Sequence, residues 1–116
     1  MIINQGDIFW IQPEESNEIK SDFTHPHVVI QDNTNTLIVC ALTSNMKQAK
    51  TLGNILLEVG EANLPKQSVV VASKVFTVKK SQLGEYIGSL SKQRINQIIA
   101  GMEFIQIMIG VSSRFV

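Results

Sequence analysis

The stretch HPHVVIQ, residues 25–31, and the stretch LIVCALTSN, residues 37–45, decide how this chain folds. Both are short apolar runs rich in β-branched residues, which is the pattern of buried strands. Turn-forming residues at 32–35 separate them, and so short a connection favours an antiparallel hairpin. The hairpin would bring two imidazoles at the start of one strand close to the hydroxyls and the amide at the end of the next.

Other segments predict further short elements. Strands are expected at 8–11, at 55–57 and at 67–76, where the last is either long or broken. Loops are expected at 14–24, which is rich in acids, serine and asparagine, at 46–51, where a single turn is also possible, and at 60–66. A short helix closed by Gly88 is expected at 81–87.

The last segment has a helical period. Apolar residues fall three and four positions apart, with Ser91 placed to cap the helix and Gly110 to end it. The stripe consists of Ile95, Ile98, Ile99, Met102, Ile105 and Ile109. Gly101 inside the helix should cost about 1 kcal/mol relative to alanine, which a close approach to the sheet or to another subunit could offset. Phe104, Ile107 and Met108 lie off the stripe, so we expect a homodimer.

The pattern of several short strands followed by one helix predicts a mostly β fold, a small barrel with a helix packed against it. A chain of 116 residues has the length of one domain. We therefore expect a single domain over 1–116.

Charge limits the classes of function. Ten Lys or Arg balance ten Asp or Glu, which argues against a general polyanion binder, because non-specific affinity for nucleic acid depends on excess cations. However, six acids against one lysine give −5 in residues 1–35, and nine cations against four acids give +5 in residues 36–116. A basic surface and scattered solvated charges both fit this segregation.

Several kinds of site and location are not expected. No run reaches the roughly 18 apolar residues of a membrane helix, and the N-terminus lacks the basic start of a secretory signal, so we expect a cytoplasmic protein without a membrane partner. Cys40 lies inside an apolar strand and should be a buried small hydrophobe. Besides it only His25 and His27 are good metal ligands of the soft or borderline kind, so we expect no metal.

Pieces of the sequence, in order and at their usual spacing, resemble the MazF/PemK toxins over nearly the whole chain. The matching pieces are residues 6–10, 25–31, 42–44, 64–70, 77–78 and 83–88. The resemblance implies an SH3-like β-barrel of the MazF/PemK/CcdB type with a C-terminal helix, and a homodimer inhibited by a co-expressed cognate antitoxin. It also implies a growth-inhibiting endoribonuclease that cleaves single-stranded RNA at short sequences without metal or another cofactor.

In such cleavage the RNA 2′-hydroxyl attacks the adjacent phosphorus, which requires a base, a donor or cation for the phosphorane, and an acid for the leaving oxygen. In the family an arginine usually precedes the proline of the second strand and a threonine after the third strand assists it. Thr43 matches, but the arginine position holds His25. The family's later acidic-Gln-x-Arg-Thr stretch is also altered at 73–77, where Lys74 is the cation that remains.

An imidazole could replace the arginine by another route. With an ordinary pKa of about 6.5 it can accept or donate a proton near neutral pH, whereas arginine only stabilises negative charge. His25 is therefore a candidate base or acid. His27 lies two residues along, on the same face of a strand and about 7 Å away, so both rings could flank a scissile phosphate. Alternatively, His25 only begins the strand and His27 is a half-buried, hydrogen-bonded histidine.

Further residues are candidates for contact with RNA. Ser44 and Asn45 would position the backbone or the substrate, although an ordinary turn uses the same residues. The other candidates are Lys47, Lys50 and Lys74 for phosphates and Trp10 and Phe76 for stacking on bases, although rings are often core and lysines often merely solvated. The sequence predicts an endoribonuclease centred on His25, Thr43 and His27. The alternative is a catalytically silent dimer that binds an antitoxin or nucleic acid, with the missing arginine as its mark.

Overall fold

The computed structural model describes residues 2–12 and 25–114, with side chains as far as residue 106. This part of the chain contains six strands, three short 3-10 turns and one long helix. The strands are β1 (Asp7–Ile11), β2 (His25–Asp32), β3 (Thr36–Thr43), β4 (Ile55–Leu56), β5 (Val69–Lys79) and β6 (Leu83–Ser89), the 3-10 turns are Met46–Lys50, Glu61–Asn63 and Lys80–Gln82, and the helix α1 is Lys92–Arg114. The loop predicted at 14–24 lies outside the described residues.

The strands form one antiparallel sheet in the order β4-β5-β3-β2-β1-β6. The predicted hairpin is confirmed, because β2 pairs with β3 in a register that places Val28 opposite Cys40. Within the described residues β4 and β6 are the two edges and are not paired with each other. The sheet is therefore an open, barrel-like sheet and not a closed cylinder.

Alternation of side chains divides the buried residues into two apolar cores. Val28 and Ile30 point into the core that α1 covers, where Ile98 is fully buried, while Val29 between them points into the other core with Phe9. Burial of each such side chain contributes roughly 1.5–3 kcal/mol. The apolar run at 28–30 is continuous because both faces of this strand are buried. Cys40 is fully buried in the first core, as predicted.

Helix α1 begins where the sequence predicts and ends later. The Arg94 backbone N–H donates to Ser91 Oγ at 3.2 Å, which confirms the N-cap. Ile95 and Ile98 on the predicted stripe are buried. The prediction that Gly110 ends the helix is wrong, because α1 continues to Arg114. A glycine inside a helix costs about 1 kcal/mol and does not by itself stop it.

Gly101 allows α1 to lie against the turn that precedes β4. A Cβ at this position would be 2.2 Å from the carbonyl oxygen of Gly53. Gly53 itself has a φ of +92°, a left-handed conformation that favours glycine. A close backbone approach at Gly101 is present as expected, but its partner is this turn, whereas the prediction named the sheet or another subunit.

The helix predicted at 81–87 is wrong. The chain forms a 3-10 turn at Lys80–Gln82 and then β6, which pairs with β1 through Phe9 and Tyr86. The outer edge of β1 would otherwise be unpaired, and Gly88 has the low helix propensity that favours an extended chain here. Gly88 is also required by packing, because a Cβ there would be 2.2 Å from the carbonyl oxygen of Ala62.

Candidate functional site

The start of β2 and the end of β3 meet at one rim of the sheet. His27 pairs with Ala41, and two residues further along the antiparallel strands lie His25 and Thr43. Both residues line each of two cavities that open at this rim. The structure therefore brings together the two residues on which the predicted reaction centre depends.

The first cavity has a volume of about 280 Å³ and holds most of the predicted site residues. It is lined by His25, His27, Ala41, Leu42, Thr43, Asn45, Gln48, Val71, Lys74 and Phe76. Its wall joins the tips of β2 and β3 to the middle of β5 and to the 3-10 turn at 46–50. Both histidines face this space, as the spacing of two along the strand predicts.

The second cavity has a volume of about 210 Å³ and lies beside the first. It is lined by Trp10, His25, Pro26, Leu42, Thr43, Ser44, Leu64, Pro65, Lys66 and Ser68. His25, Leu42 and Thr43 belong to both cavities and form the ridge between them.

The alternation of side chains along β2 explains why there are two cavities. His27 lines only the first and Pro26 only the second, because successive residues of a strand point to opposite faces. Trp10 pairs with Pro26 across β1 and β2 and lies on the same side as its partner. The cavities therefore lie toward opposite faces of the sheet and meet at the strand tips.

His27 is held firmly in the wall of the first cavity. Its side chain is buried, and its Nδ1–H donates to the carbonyl oxygen of His25 at 2.9 Å. The ring also makes an edge contact with Phe76, with 5.9 Å between the ring centroids. Burial lowers the pKa of His27 below 6.5, against the opposing effect of the hydrogen bond to His25. A neutral His27 with its proton on Nδ1 carries a lone pair on Nε2.

Thr43 and Asn45 organise the turn that follows β3. The backbone N–H of Asn45 donates to Thr43 Oγ1 at 3.1 Å, and the Asn45 side chain accepts from the Lys47 backbone N–H at 3.0 Å. The Thr43 hydroxyl is thus used as an acceptor and keeps its own proton for donation. Asn45 acts as the N-cap of the 3-10 turn.

An irregularity in β5 places Lys74 at the first cavity. Cys40 pairs with Val75, but Leu42, two residues further along β3, pairs with Val70. Residues 71–74 therefore bulge out of the ladder, as extra residues in one strand do. The sequence allowed for a broken strand here, but β5 is one strand with an irregular middle.

Asn54 fastens this bulge to the turn at 46–50. Its side-chain oxygen accepts from the Ala72 backbone N–H at 3.0 Å, and its amide nitrogen donates to the carbonyl oxygen of Gln48 at 3.0 Å. Gln48 and Val71 line the first cavity. One amide therefore links two walls of this cavity.

The linings are suited to an anionic ligand. Among the residues that the structure describes, no Asp or Glu lines either cavity, whereas Lys74 lines the first and Lys66 the second. Lys47 and Lys50, which we also expect to contact RNA, are exposed on the neighbouring 3-10 turn and line neither cavity. In the described part of the chain no three His, Cys, Asp or Glu side chains are grouped so that they could hold a metal ion.

Sequence reasoning missed several lining residues. Gln48 lies in the first cavity, and Pro65, Lys66 and Ser68 lie in the second. Residues 64–68 belong to one of the pieces that resemble the toxin family, and this match was the signal in the sequence that could have pointed to the residues of this loop. Their contribution to the site became visible only when the loop packed against the strand tips.

A family model for the PemK-like, MazF-like toxins of type II toxin-antitoxin systems matches residues 4–105. The chain belongs to this family. The match covers β1 to β6 and most of α1, so it includes both cavities.

Individual relatives of the chain are consistent with this family assignment. The chain is 25% identical over 108 residues to an endoribonuclease MazF6 of Mycobacterium tuberculosis, covering 88% of this chain and 95% of the relative. It is 24% identical over 102 residues to an endoribonuclease MazF of Staphylococcus saprophyticus, covering 84% of this chain and 85% of the relative.

Solved structures have the same fold. The crystal structure of a MazF from Deinococcus radiodurans has a TM-score of 0.72 at 15% identity and covers 91% of this chain and 97% of that one. A mycobacterial endoribonuclease in complex with its cognate antitoxin has a TM-score of 0.66 at 17% identity, and the match covers 87% of this chain and 91% of that one. These similarities confirm the predicted fold of the MazF type.

No helix in the described residues is long and apolar enough to cross a membrane.

Proposed function

We propose that this toxin is an endoribonuclease that cleaves single-stranded RNA by attack of the 2′-hydroxyl, without metal, at the ridge formed by His25 and Thr43. One observation carries the proposal. The imidazole of His25 and the hydroxyl of Thr43, whose proton is available for donation, share the boundary of two cavities that contain lysines and, within the described residues, no carboxylate. The endoribonuclease names of the relatives support the reaction class.

The roles follow from what the reaction needs. His25 takes the proton of the 2′-hydroxyl as that oxygen attacks phosphorus, which forms a phosphorane, and the bond to the 5′-oxygen then breaks. Thr43 donates its hydroxyl proton as a hydrogen bond to a phosphorane oxygen, and the Lys74 ammonium stabilises the same charge. The leaving 5′-oxygen takes a proton from the imidazolium or from water. The products are a 2′,3′-cyclic phosphate and a 5′-hydroxyl.

His27 supports this centre from within the wall. Its hydrogen bond to the carbonyl oxygen of His25 fixes the backbone at the tip of β2. Because burial lowers its pKa, it is neutral near pH 7 and is better suited to accept a hydrogen bond at Nε2 than to donate a proton from it. Ser44, Asn45, Lys47, Lys50 and Phe76 complete the RNA-binding surface that we propose.

The test is the chemistry of the RNA ends after incubation in EDTA. The wild-type protein should produce cyclic phosphate and 5′-hydroxyl ends from a long single-stranded transcript. His25→Ala should abolish cleavage, and His25→Arg should flatten its pH dependence between about 5 and 8, because arginine does not titrate there. Thr43→Val should reduce the rate by roughly 10²–10³, while Thr43→Ser, which keeps the hydroxyl, should retain most of it. Unchanged cleavage by His25→Ala would remove that residue from the mechanism.

The same assay decides the alternative. The departures from the family pattern at His25 and at residues 73–77 favour a silent relative that binds RNA or an antitoxin without cleaving. Intact RNA with the wild-type protein, together with measurable binding, would establish that function.

The proposal includes the partners of the family and their location. Antitoxin binding is supported by family membership, and an acidic antitoxin segment laid across the lysines would add complementary charge. A toxin that acts on cellular RNA and is neutralised by a co-expressed antitoxin works in the cytoplasm. Capture of the purified toxin by its co-expressed antitoxin tests the pairing.

A homodimer is supported by exposed apolar side chains on α1 and on the turn against which α1 packs. Phe104 on α1 is 41% exposed, and Leu52, in the turn against which α1 packs, is 73% exposed. Exposed apolar surface of this kind marks an interface. Light scattering should give the mass of two chains for the wild-type protein and for Asn96→Glu, which adds the same charge at another exposed position of α1, and of one chain for Phe104→Glu. A monomeric wild-type protein would contradict this part of the proposal.

A further inference from the structure

Apart from the shared ridge and Ser44, the lining of the second cavity has no role in the reaction described so far. It shares His25 and Thr43 with the first cavity but extends toward the opposite face of the sheet, past Trp10 and Lys66. If the scissile phosphate lies on the shared ridge, the RNA backbone crosses the rim of the sheet there. One flanking nucleotide then enters each cavity.

We infer that the second cavity is a nucleotide subsite, in which Trp10 stacks on a base and Lys66 binds a phosphate on one side of the cleaved bond. This inference deepens the proposed function and rests on it for the position of the scissile phosphate. It assigns RNA binding to Lys66, which is not among the lysines predicted from the sequence to contact RNA.

The chemistry of the lining fits a nucleotide. Trp10 is half-buried, so its ring is anchored and still borders the cavity, and the rings of Pro26 and Pro65 add flat apolar surface nearby. Ser44 supplies a hydroxyl and Lys66 a cation. Stacking of a base on an aromatic ring tolerates any sequence, while the hydroxyl and the cation bind the backbone.

The wall that carries Lys66 is held in place before any ligand binds. Leu64 is buried in the core that α1 covers, and Ser68 Oγ donates to the carbonyl oxygen of Lys66 at 2.9 Å. The backbone of Leu57 donates to the carbonyl oxygen of Ser68 at 3.0 Å, and the Gln67 side chain donates back to that of Leu57 at 3.0 Å. A rigid wall loses little entropy on binding, which favours affinity.

A two-pronged ion pair anchors the same wall to α1. Arg94 Nε donates to one carboxylate oxygen of Glu61 at 2.9 Å and Nη2 to the other at 3.0 Å. Glu61 lies three residues before Leu64, at the start of the segment that leads into the cavity. The position of Lys66 is thus set by contacts that are independent of His25 and Thr43.

The experiment first maps the cut site by sequencing the ends of products from a long single-stranded transcript. An RNA oligonucleotide centred on that site, with a 2′-deoxy sugar at the scissile nucleotide, then measures binding without cleavage by fluorescence anisotropy. The variants are Lys66→Gln, at an exposed position, and Trp10→Leu, checked by circular dichroism. Lys92→Gln, an exposed lysine at the start of α1, is the matched control.

Loss of Lys66 should weaken binding roughly three- to tenfold at low salt and reduce the slope of log affinity against log salt by about 0.7, as expected for one phosphate contact with a single strand. Loss of the ring of Trp10 should weaken binding roughly five- to 150-fold. Lys92→Gln should bind like the wild-type protein. In cleavage, both site variants should mainly raise KM.

Truncated oligonucleotides make the test specific to a subsite. Removing nucleotides on one side of the scissile bond should abolish the difference between Lys66→Gln and the wild-type protein, while removing them on the other side should preserve it. Equal binding by the wild-type protein and both variants would overturn the inference, even if cleavage at His25 is established. If no RNA is cut, the proposed function fails, and a random-sequence single-stranded RNA 12-mer replaces the mapped oligonucleotide in the same binding test.

Discussion

Replacing Gly101 with alanine tests the packing of α1 on the turn at Gly53. In an exposed helix this change would stabilise the protein by about 1 kcal/mol, because alanine is the better helix former. Here the added Cβ would lie 2.2 Å from the Gly53 carbonyl oxygen and 3.1 Å from its carbonyl carbon. Carbon and oxygen normally approach no closer than about 3.3 Å, so the helix or the turn has to move by about 1 Å.

Such overpacking costs typically 1–3 kcal/mol, and sometimes more when the neighbour is backbone. The gap to be opened here is large and the obstacle is a carbonyl group, so the cost should exceed the gain in helix propensity. Taking the upper part of that range, about 2–3 kcal/mol, and subtracting the gain of about 1 kcal/mol, we expect Gly101→Ala to lower the free energy of unfolding by about 1–2 kcal/mol and Tm by about 4–8 °C.

The assay is thermal and urea unfolding followed by circular dichroism, with two controls on the same helix. Ala100→Gly, at the exposed neighbouring position, should destabilise by about 1 kcal/mol from propensity alone. Asn96→Ala, also at an exposed position, should stabilise by roughly 0.5 kcal/mol, because alanine is the better helix former and meets no obstacle there. A higher Tm for Gly101→Ala would refute the close approach that the structure shows.

Three other predictions follow from buried groups. Because burial lowers the pKa of His27 below 6.5, the unfolded chain binds more protons there, so the free energy of unfolding should fall as the pH drops below about 6.5 and be unaffected by this group above it. His27→Gln should reduce that slope in denaturant titrations, and equal slopes would contradict the assignment. Burial raises the pKa of the Cys40 thiol to about 12, so a thiol reagent at pH 8 should label the native protein far more slowly than the protein in guanidinium, and comparable rates would be inconsistent with this. Asn54→Ala leaves the Ala72 N–H without its partner and should lower the free energy of unfolding by about 1–3 kcal/mol. Asn54→Asp keeps an acceptor for that N–H and should lower it less, and equal losses in the two variants would contradict the importance of this bond.

The β2–β3 hairpin could be predicted from sequence because its signals are local. Apolar, β-branched runs on both sides of a short polar turn favour one geometry whatever surrounds them. The N-cap at Ser91 is equally local, since the capping residue and the N–H it accepts from are three positions apart.

The prediction failed where distant residues decide the conformation. Residues 83–89 have no strong strand pattern, and they become β6 because β1 offers an unpaired edge. Near the C-terminus, α1 passes through Gly110, because the low helix propensity of one glycine is outweighed by the helix on both sides of it.

The candidate site shows the same division. His25 and Thr43 were predicted as partners because a hairpin brings its strand ends together, whereas Lys66 and Gln48 reach the cavities through loops that no periodicity describes. Lys47 and Lys50 show the limit of inference from charge. They follow Thr43 closely in the sequence, but they line neither cavity.

By itself the sequence determined the family, through pieces that match in order along nearly the whole chain. It also determined the central hairpin, the amphipathic helix and the residues at the strand tips, because each of these depends on neighbours within a few positions. The tertiary structure decided which edge β6 would pair with, how closely α1 approaches the Gly53 turn, and that two cavities share the ridge at His25 and Thr43. These features arise from contacts between segments far apart in the chain, where packing and backbone pairing outweigh local preference.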